Sequence, residues 1–215
     1  MFDRIAPVYD AMNRLMTAGL DLRWRRLAAA AVVRPGDRVL DAACGTGDFA
    51  LADLRAGAHE VIGIDFAPQM LERARRKSTE VEWIQADMLE LPFPDESFDA
   101  ATVGFGVRNL AELERGLREL RRVLRPGGRV AVLEITRPRG PLRPFFSVWF
   151  DRVVPVAGKV LPGGRAYGYL PASVRRFPPA EELAELLERA GFEGVRFRLL
   201  AGSIVALHTG TATAA

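Results

Sequence analysis

Cysteine is almost missing from this chain: Cys44 is the only one in 215 residues. A single thiol excludes an internal disulfide framework and fits a reducing compartment. Histidine is scarce too: His59 and His208 are each too isolated to form a site, and neither has ligand-like spacing. No stretch approaches the roughly 20 uninterrupted apolar residues that a membrane span requires. The first residues, Met1-Phe2-Asp3-Arg4, carry neither the apolar run nor the charge layout of a signal peptide. A cytoplasmic protein is therefore expected, soluble or peripheral on a membrane. Lysine is the last shortage, with two against 28 arginines, a bias that reads as genome composition. What the chain does hold is apolar residues, 49% of it, and a length that suits one domain over 1–215 with a sizeable core.

The chain is organised around Arg38-Val39-Leu40-Asp41-Ala42-Ala43-Cys44-Gly45-Thr46-Gly47-Asp48-Phe49-Ala50. It begins as a buried strand and ends as a helix. Between them Gly45 and Gly47 flank Thr46, a turn that lets backbone N–H groups approach a ligand. The following helix adds the positive end of its dipole. Asp41, at the strand's end, suits a nucleotide-like ligand with an ammonium or sulfonium charge better than one with a pyrophosphate.

Strand and helix patterns alternate from there. Residues 60–65 form a second apolar strand ending in Asp65, which lies 18 residues after Gly47. That spacing is near the ~20 expected of a carboxylate gripping ribose hydroxyls. A helix at 69–78 follows, then strand 81–87 with Asp87 at its end. A fourth strand covers 98–106, with Arg108-Asn109 just beyond it. An amphipathic helix over 111–124 stops at the breakers Arg125-Pro126-Gly127-Gly128, and a fifth strand runs 129–135. Such alternation predicts an α/β fold, a doubly wound, mostly parallel sheet with its ligand at the carboxyl ends of the strands. A helix over 180–190 and strands at 192–200 and 203–208 close the chain as an antiparallel hairpin. Residues 209–215 read as a frayed tail.

Two segments stand outside this pattern. Residues 2–33 read as helical, broken at Pro7 and Gly19, with polar Tyr9, Asp10 and Asn13 either solvated or turned inward over a ligand. Residues 137–176 hold eight basic residues against the single acid Asp151, interleaved with Phe145, Phe146, Trp149, Phe150, Tyr167 and Tyr169. They read either as a solvated, irregular insertion or as an apolar cover whose basic residues face anionic lipid. No nucleic-acid motif accompanies them.

Together these features resemble the Rossmann-like S-adenosylmethionine-dependent methyltransferases, and the resemblance spans nearly the whole chain. Three motifs sharpen it to the quinone-biosynthesis C-methyltransferases: Tyr9-Asp10-Ala11-Met12-Asn13 with Trp24 downstream, Gly104-Phe105-Gly106-Val107-Arg108-Asn109, and Tyr167-Gly168-Tyr169-Leu170-Pro171-Ala172-Ser173. Two departures are seen: Leu20-Asp21-Leu22-Arg23 lacks the histidine or extra basic residue common in relatives, and Gly104 stands where some carry serine.

The resemblance implies a seven-stranded sheet, an N-terminal cap over 1–33 and a lid over 137–178. It implies methyl transfer from S-adenosyl-L-methionine, without a metal, to a ring carbon of a prenylated quinol made nucleophilic by a deprotonated neighbouring hydroxyl. Gly45, Thr46 and Gly47 would hold the donor's methionine part, with Asp41 near its ammonium. Asp65 would accept both ribose hydroxyls, Asp87 and the Met88 backbone would meet the adenine, and Phe66 and Gly104 complete the donor site. Arg108 would stabilise the phenolate and Asn109 orient it or a water, with Tyr9 and Asp10 as further catalytic candidates. An arginine at a strand end equally pairs with a carboxylate. The ring is open between naphthoquinol and benzoquinol; the short chain, without targeting segment, leans to menaquinone. Homodimerisation is open. A dinucleotide-dependent oxidoreductase, another small-molecule methyltransferase and a non-catalytic binding module are the rival readings.

Overall fold

The structure is a computed structural model and describes residues 6–137 and 170–214. Most of the expected lid, including Tyr167-Gly168-Tyr169 and the aromatics from Phe145 to Phe150, lies outside the described residues.

The chain begins with a short 3₁₀ turn (Ala6–Val8) leading into α1 (Tyr9–Thr17) and α2 (Leu20–Val32). Ala18 and Gly19 break the two helices apart, with φ of +50° and +75°. Then come β1 (Arg38–Ala42), α3 (Asp48–Ala56), β2 (Glu60–Asp65), α4 (Pro68–Lys77), β3 (Glu82–Gln85) and β4 (Phe98–Gly104). A second 3₁₀ turn (Val107–Asn109) precedes α5 (Leu113–Val123) and β5 (Leu124–Ile135). After the undescribed stretch follow α6 (Leu170–Arg176), α7 (Ala180–Arg189), β6 (Phe192–Leu200) and β7 (Val205–Ala212).

The seven strands form one sheet in the order β3-β2-β1-β4-β5-β7-β6. β1 to β5 are mutually parallel, and β7 lies antiparallel between β5 and β6. Helices cover both faces, so neighbouring strand residues feed opposite cores. Val39, Val61, Ala100 and Ala131 pack with Trp24, Ala28, Phe49 and Leu71 of α2, α3 and α4. Leu40, Ile62, Ala101 and Val132 pack with Leu117 and Leu120 of α5 and Leu183 and Leu187 of α7. With β1 central and β4 beside it, the reversal of strand order opens a crevice at their carboxyl ends.

Three sequence expectations change. The breakers at 125–128 do not precede the fifth strand but sit inside its span: Leu124 pairs Phe98, Arg129 pairs Ala100, and the residues between bulge out. The tail is not frayed. Thr209, Gly210 and Thr211 look like loop residues, yet β5 and β6 flank them with ladder hydrogen bonds and hold β7 as far as Ala212. The end of the basic insertion is not irregular, because α6 forms there and buries Val174.

Candidate active site

The glycine turn after β1 is braced from within. Asp41 is fully buried, and its Oδ2 accepts the Ala50 N–H in the first turn of α3 at 2.8 Å. The carboxylate thereby meets the helix dipole itself. Burial raises its pKa to about 8, against the pull of the Ala50 N–H and Arg25. Below it lies a second buried acid, Asp53, which accepts the Thr102 hydroxyl at 2.7 Å and whose pKa burial and Asp41 also raise.

Gly47 (φ +86°) needs to be glycine for its backbone and also for Trp83. A Cβ there would stand 3.1 Å from Cζ2 and Cζ3 of the indole and closer still to Cη2. Gly63 in β2 meets the same ring, 2.5 Å from Cε3. The indole thus fills the space both glycines leave. Gly45 (φ +55°) faces the crevice instead, with Cε1 of Tyr9 3.9 Å from its missing Cβ.

The crevice is a cleft of about 250 Å³ lined by residues that include Tyr9, Ala43, Gly45, Asp65, Phe66, Met70, Asp87, Met88, Leu89, Gly104, Phe105, Asn109 and Leu110. Asp65, at the end of β2, accepts Gly45 N–H on Oδ2 (2.8 Å) and Ala67 N–H on Oδ1 (2.9 Å). Asp87 accepts the Leu89 N–H at 2.9 Å, which fixes the turn after β3. Gly104 admits Phe49, whose Cδ1 would lie 2.7 Å from a Cβ. Phe105 follows in the left-handed region at φ +60°, a costly conformation for a bulky residue, and the Arg25 guanidinium lies 5.2 Å from its ring centroid. The 3₁₀ turn at 107–109 is pinned by Glu134 of β5. Its Oε1 takes Arg108 Nη1 and the Ile135 N–H at 2.7 and 2.8 Å, and Oε2 takes the Arg108 N–H at 3.3 Å. Both side chains of this pair are buried.

Over the turn runs a chain of alternating charge. Arg25 pairs with Asp21 at 2.7 Å, Asp21 with Arg14, Arg14 with Asp48 at 2.6 Å, Asp48 with Lys77 at 2.9 Å, and Lys77 with Asp10 at 2.6 Å. Thr46 closes it, donating to Asp10 at 2.5 Å and accepting from Lys77 at 3.0 Å. Burial pushes the Asp48 carboxyl up, and Lys77 and Arg14 outweigh that, so it titrates below the ordinary carboxylate range.

The pattern of the ubiE/COQ5 methyltransferase family matches residues 1–212. The chain belongs to that family. It is 49% identical to the demethylmenaquinone methyltransferase of Thermus thermophilus over 98% of its own length and 99% of that protein's. The corresponding enzyme of Deinococcus radiodurans is 44% identical, over 98% and 90%. Among solved structures, a putative methyltransferase in complex with the Haloferax volcanii Trm112 activator superposes with a TM-score of 0.72 at 20% identity, covering 100% of this chain and 98% of that one. At that identity the likeness shows the fold alone, the Rossmann-like fold of methyltransferases.

Within this methyltransferase family member, Tyr9, Gly45, Asp65, Phe66, Asp87, Met88, Gly104 and Asn109 come together on one cleft. Five other residues do not line it. Asp41 is turned beneath the turn to Ala50, and Gly47 is taken by Trp83. Thr46 and Asp10 bind each other and Lys77. Arg108 is paired with Glu134, so its charge is already met inside the protein. Sequence reasoning missed Glu134, although the strand-end rule that singles out Asp41, Asp65 and Asp87 applies to it equally. It also missed Lys77 and Trp83, which carry no local signal. Among the described residues no helix is long and apolar enough to cross a membrane, and no group of three potential metal ligands occurs.

Proposed function

We propose that this protein transfers a methyl group from S-adenosylmethionine to a ring carbon of a prenylated naphthoquinol, converting demethylmenaquinol to menaquinol. The observation that carries the reading is the two-sided character of the cleft. Asp65, Asp87 and the bare backbone of Gly45 supply acceptors and close approach for a nucleoside and an amino acid. Phe66, Met70, Leu89, Phe105 and Leu110 supply an apolar wall for a ring. The names of the Thermus and Deinococcus relatives support the naphthoquinol over the benzoquinol.

These residues fit the donor. Asp65, at the cleft wall, would take the ribose hydroxyls, and Asp87 with Met88 the adenine. Asp41, buried beneath the turn with its pKa raised to about 8, shapes the floor of the turn through the Ala50 N–H. When bound, the donor supplies an electrophilic methyl group on a sulfonium. The chain's own residues align and dry the site. The acceptor ring needs a deprotonated hydroxyl beside the reacting carbon, and the Asn109 amide and Tyr9 hydroxyl are the polar groups of the cleft wall that can hold that oxygen. Arg108 acts through the turn that presents Asn109. Residues 1–33 act as a cap and 137–178 as a cover for the greasy acceptor. Exposed Leu15, Leu20 and Leu27 in α1 and α2 support peripheral contact with the membrane that holds the quinol.

Purified protein incubated with S-adenosylmethionine and demethylmenaquinol should yield menaquinol by mass spectrometry. Product with a demethylated ubiquinol precursor and none with the naphthoquinol would reverse the choice of ring. No product with either would remove the proposed function.

A further inference from the structure

Lys77 occupies an unusual place for one of the two lysines in a protein with 28 arginines. It is the last residue of α4, where a cation is favoured by the helix dipole. Its ammonium reaches three oxygens on three different segments: Asp10 Oδ2 of α1 at 2.6 Å, Asp48 Oδ1 of α3 at 2.9 Å and Thr46 Oγ1 of the glycine turn at 3.0 Å. A compact ammonium with three donors can meet three separate acceptors; the flat guanidinium fork cannot do so in the same way. Among the described residues, the apolar contacts of α1 with the body are a cluster of Ala6, Met12, Ala67 and Met70, with Tyr9 and Met16 against it, and a second in which Met16 packs on Val174 with Ile135 and Ile204. The junction to α2 is the left-handed pair Ala18-Gly19, and Gly19 would find open space around a Cβ. α1 is thus a helix on a pivot, held by two small apolar clusters among the described residues and fastened by charge. Its Tyr9, next to Asp10, roofs Gly45.

We propose that Lys77 is a positioning residue that clamps α1 across the glycine turn, so that Tyr9 closes the donor side of the cleft and donor or product leaves only when the clamp opens. The inference rests on the methyl-donor reading of that cleft. The clamp is part-exposed, with Lys77 and Asp10 side chains 25% and 33% accessible, so it is strong enough to slow exchange and weak enough to open. Arg14–Asp48 keeps α1 attached when Lys77 is lost, so the fold survives the test.

Two measurements on Lys77→Met decide it. In the ligand-free protein, amide hydrogen exchange over residues 9–17 should accelerate while α5 stays protected. In stopped-flow displacement, S-adenosylhomocysteine should leave about fivefold faster, the factor for an ion pair worth ~1 kcal/mol. Added salt should speed release from the natural protein and have little effect on the variant. Lys77→Arg should recover part of the slow release. Exchange over 9–17 unchanged by Lys77→Met would overturn the clamp whatever the ligand. Release at the natural rate despite faster exchange would overturn the gating role. A natural protein that binds no S-adenosylhomocysteine would remove the donor reading, with the exchange measurement still deciding the clamp.

Discussion

The claim that Gly47 and Gly63 serve the Trp83 ring can be separated from the ordinary need for glycine in a turn. Gly63 lies in β2 in ordinary strand conformation, so alanine there is opposed chiefly by the indole, 2.5 Å from the new Cβ, with Cys44 Sγ at 3.3 Å a lesser contact. An overpacked core costs about 1–3 kcal/mol. Gly47 adds its left-handed backbone at φ +86°, about 1–2 kcal/mol for a residue with a Cβ. Gly63→Ala should therefore cost about 1–3 kcal/mol, the overpacking term alone. Gly47→Ala should cost about 2–5 kcal/mol, the two terms together. In a Trp83→Leu background the ring's part disappears. Gly63→Ala should then be near neutral, and Gly47→Ala should keep about 1–2 kcal/mol. Trp83→Leu costs a few kcal/mol by itself, and a domain with about 5–15 kcal/mol of stability stays folded. Urea unfolding followed by circular dichroism at 222 nm gives all the free energies, with equal slopes as the check on two-state behaviour. If Gly63→Ala costs the same with and without the indole, the ring is not what excludes a side chain and the account of the turn is wrong.

Three further outcomes follow from the site. Asp65→Ala removes the acceptor of the Gly45 and Ala67 N–H groups as well as a wall of the cleft, so calorimetry should show S-adenosylmethionine affinity falling at least about 30-fold, the factor for 2 kcal/mol or more. Glu134→Ala takes the Glu134 carboxylate from the buried Arg108 guanidinium and should cost about 3–5 kcal/mol in unfolding free energy, whereas the double change Glu134→Leu with Arg108→Met should recover most of it. Asp41 has its folded pKa raised from 3.8 to about 8, so the folded state holds a proton that the unfolded chain gives up. Its contribution to stability is complete below about pH 4, declines as pH rises and is gone above about pH 8. Asp41→Asn, which keeps an oxygen for Ala50 N–H, should flatten that slope in pH-dependent unfolding; an unchanged slope would mean Asp41 is ionised in the fold.

The sequence carries what is local and periodic. α3 at 48–56 and β2 at 60–65 fall where their apolar spacing and the Gly57 stop place them, because each is specified by its own residues. The cleft-lining acids Asp65 and Asp87 are legible for the same reason: the strand ends next to them. What is illegible depends on partners distant in the chain. Arg108 looks like a free cation until β5 brings Glu134 beneath it. Asp10 looks like a catalytic acid until α4 brings Lys77 to it. Gly47 looks like a ligand-facing glycine until Trp83 folds back across β2. The end of β7 reads as a tail because small polar residues carry no strand signal, and only the two flanking strands hold it.

The strand-end acids show how position and role come apart. Asp41, Asp65, Asp87 and Glu134 all stand at or just beyond the carboxyl ends of parallel strands, where a doubly wound sheet places its ligand. Only Asp65 and Asp87, from the side of the sheet where β2 and β3 lie, reach the cleft. Asp41, on central β1 with helices on both faces, is sealed in and spends its oxygen on the start of α3. Glu134, on β5, is consumed by Arg108 and two backbone N–H groups. The difference is whether the neighbouring element covers the carboxylate. A carboxylate that stays at the cleft wall is a binding group. One that is covered sets the shape of the turn that carries the binding group. In this fold the second kind is as necessary as the first, because Gly45 and Asn109 reach the cleft only on turns that Asp41 and Glu134 hold in place.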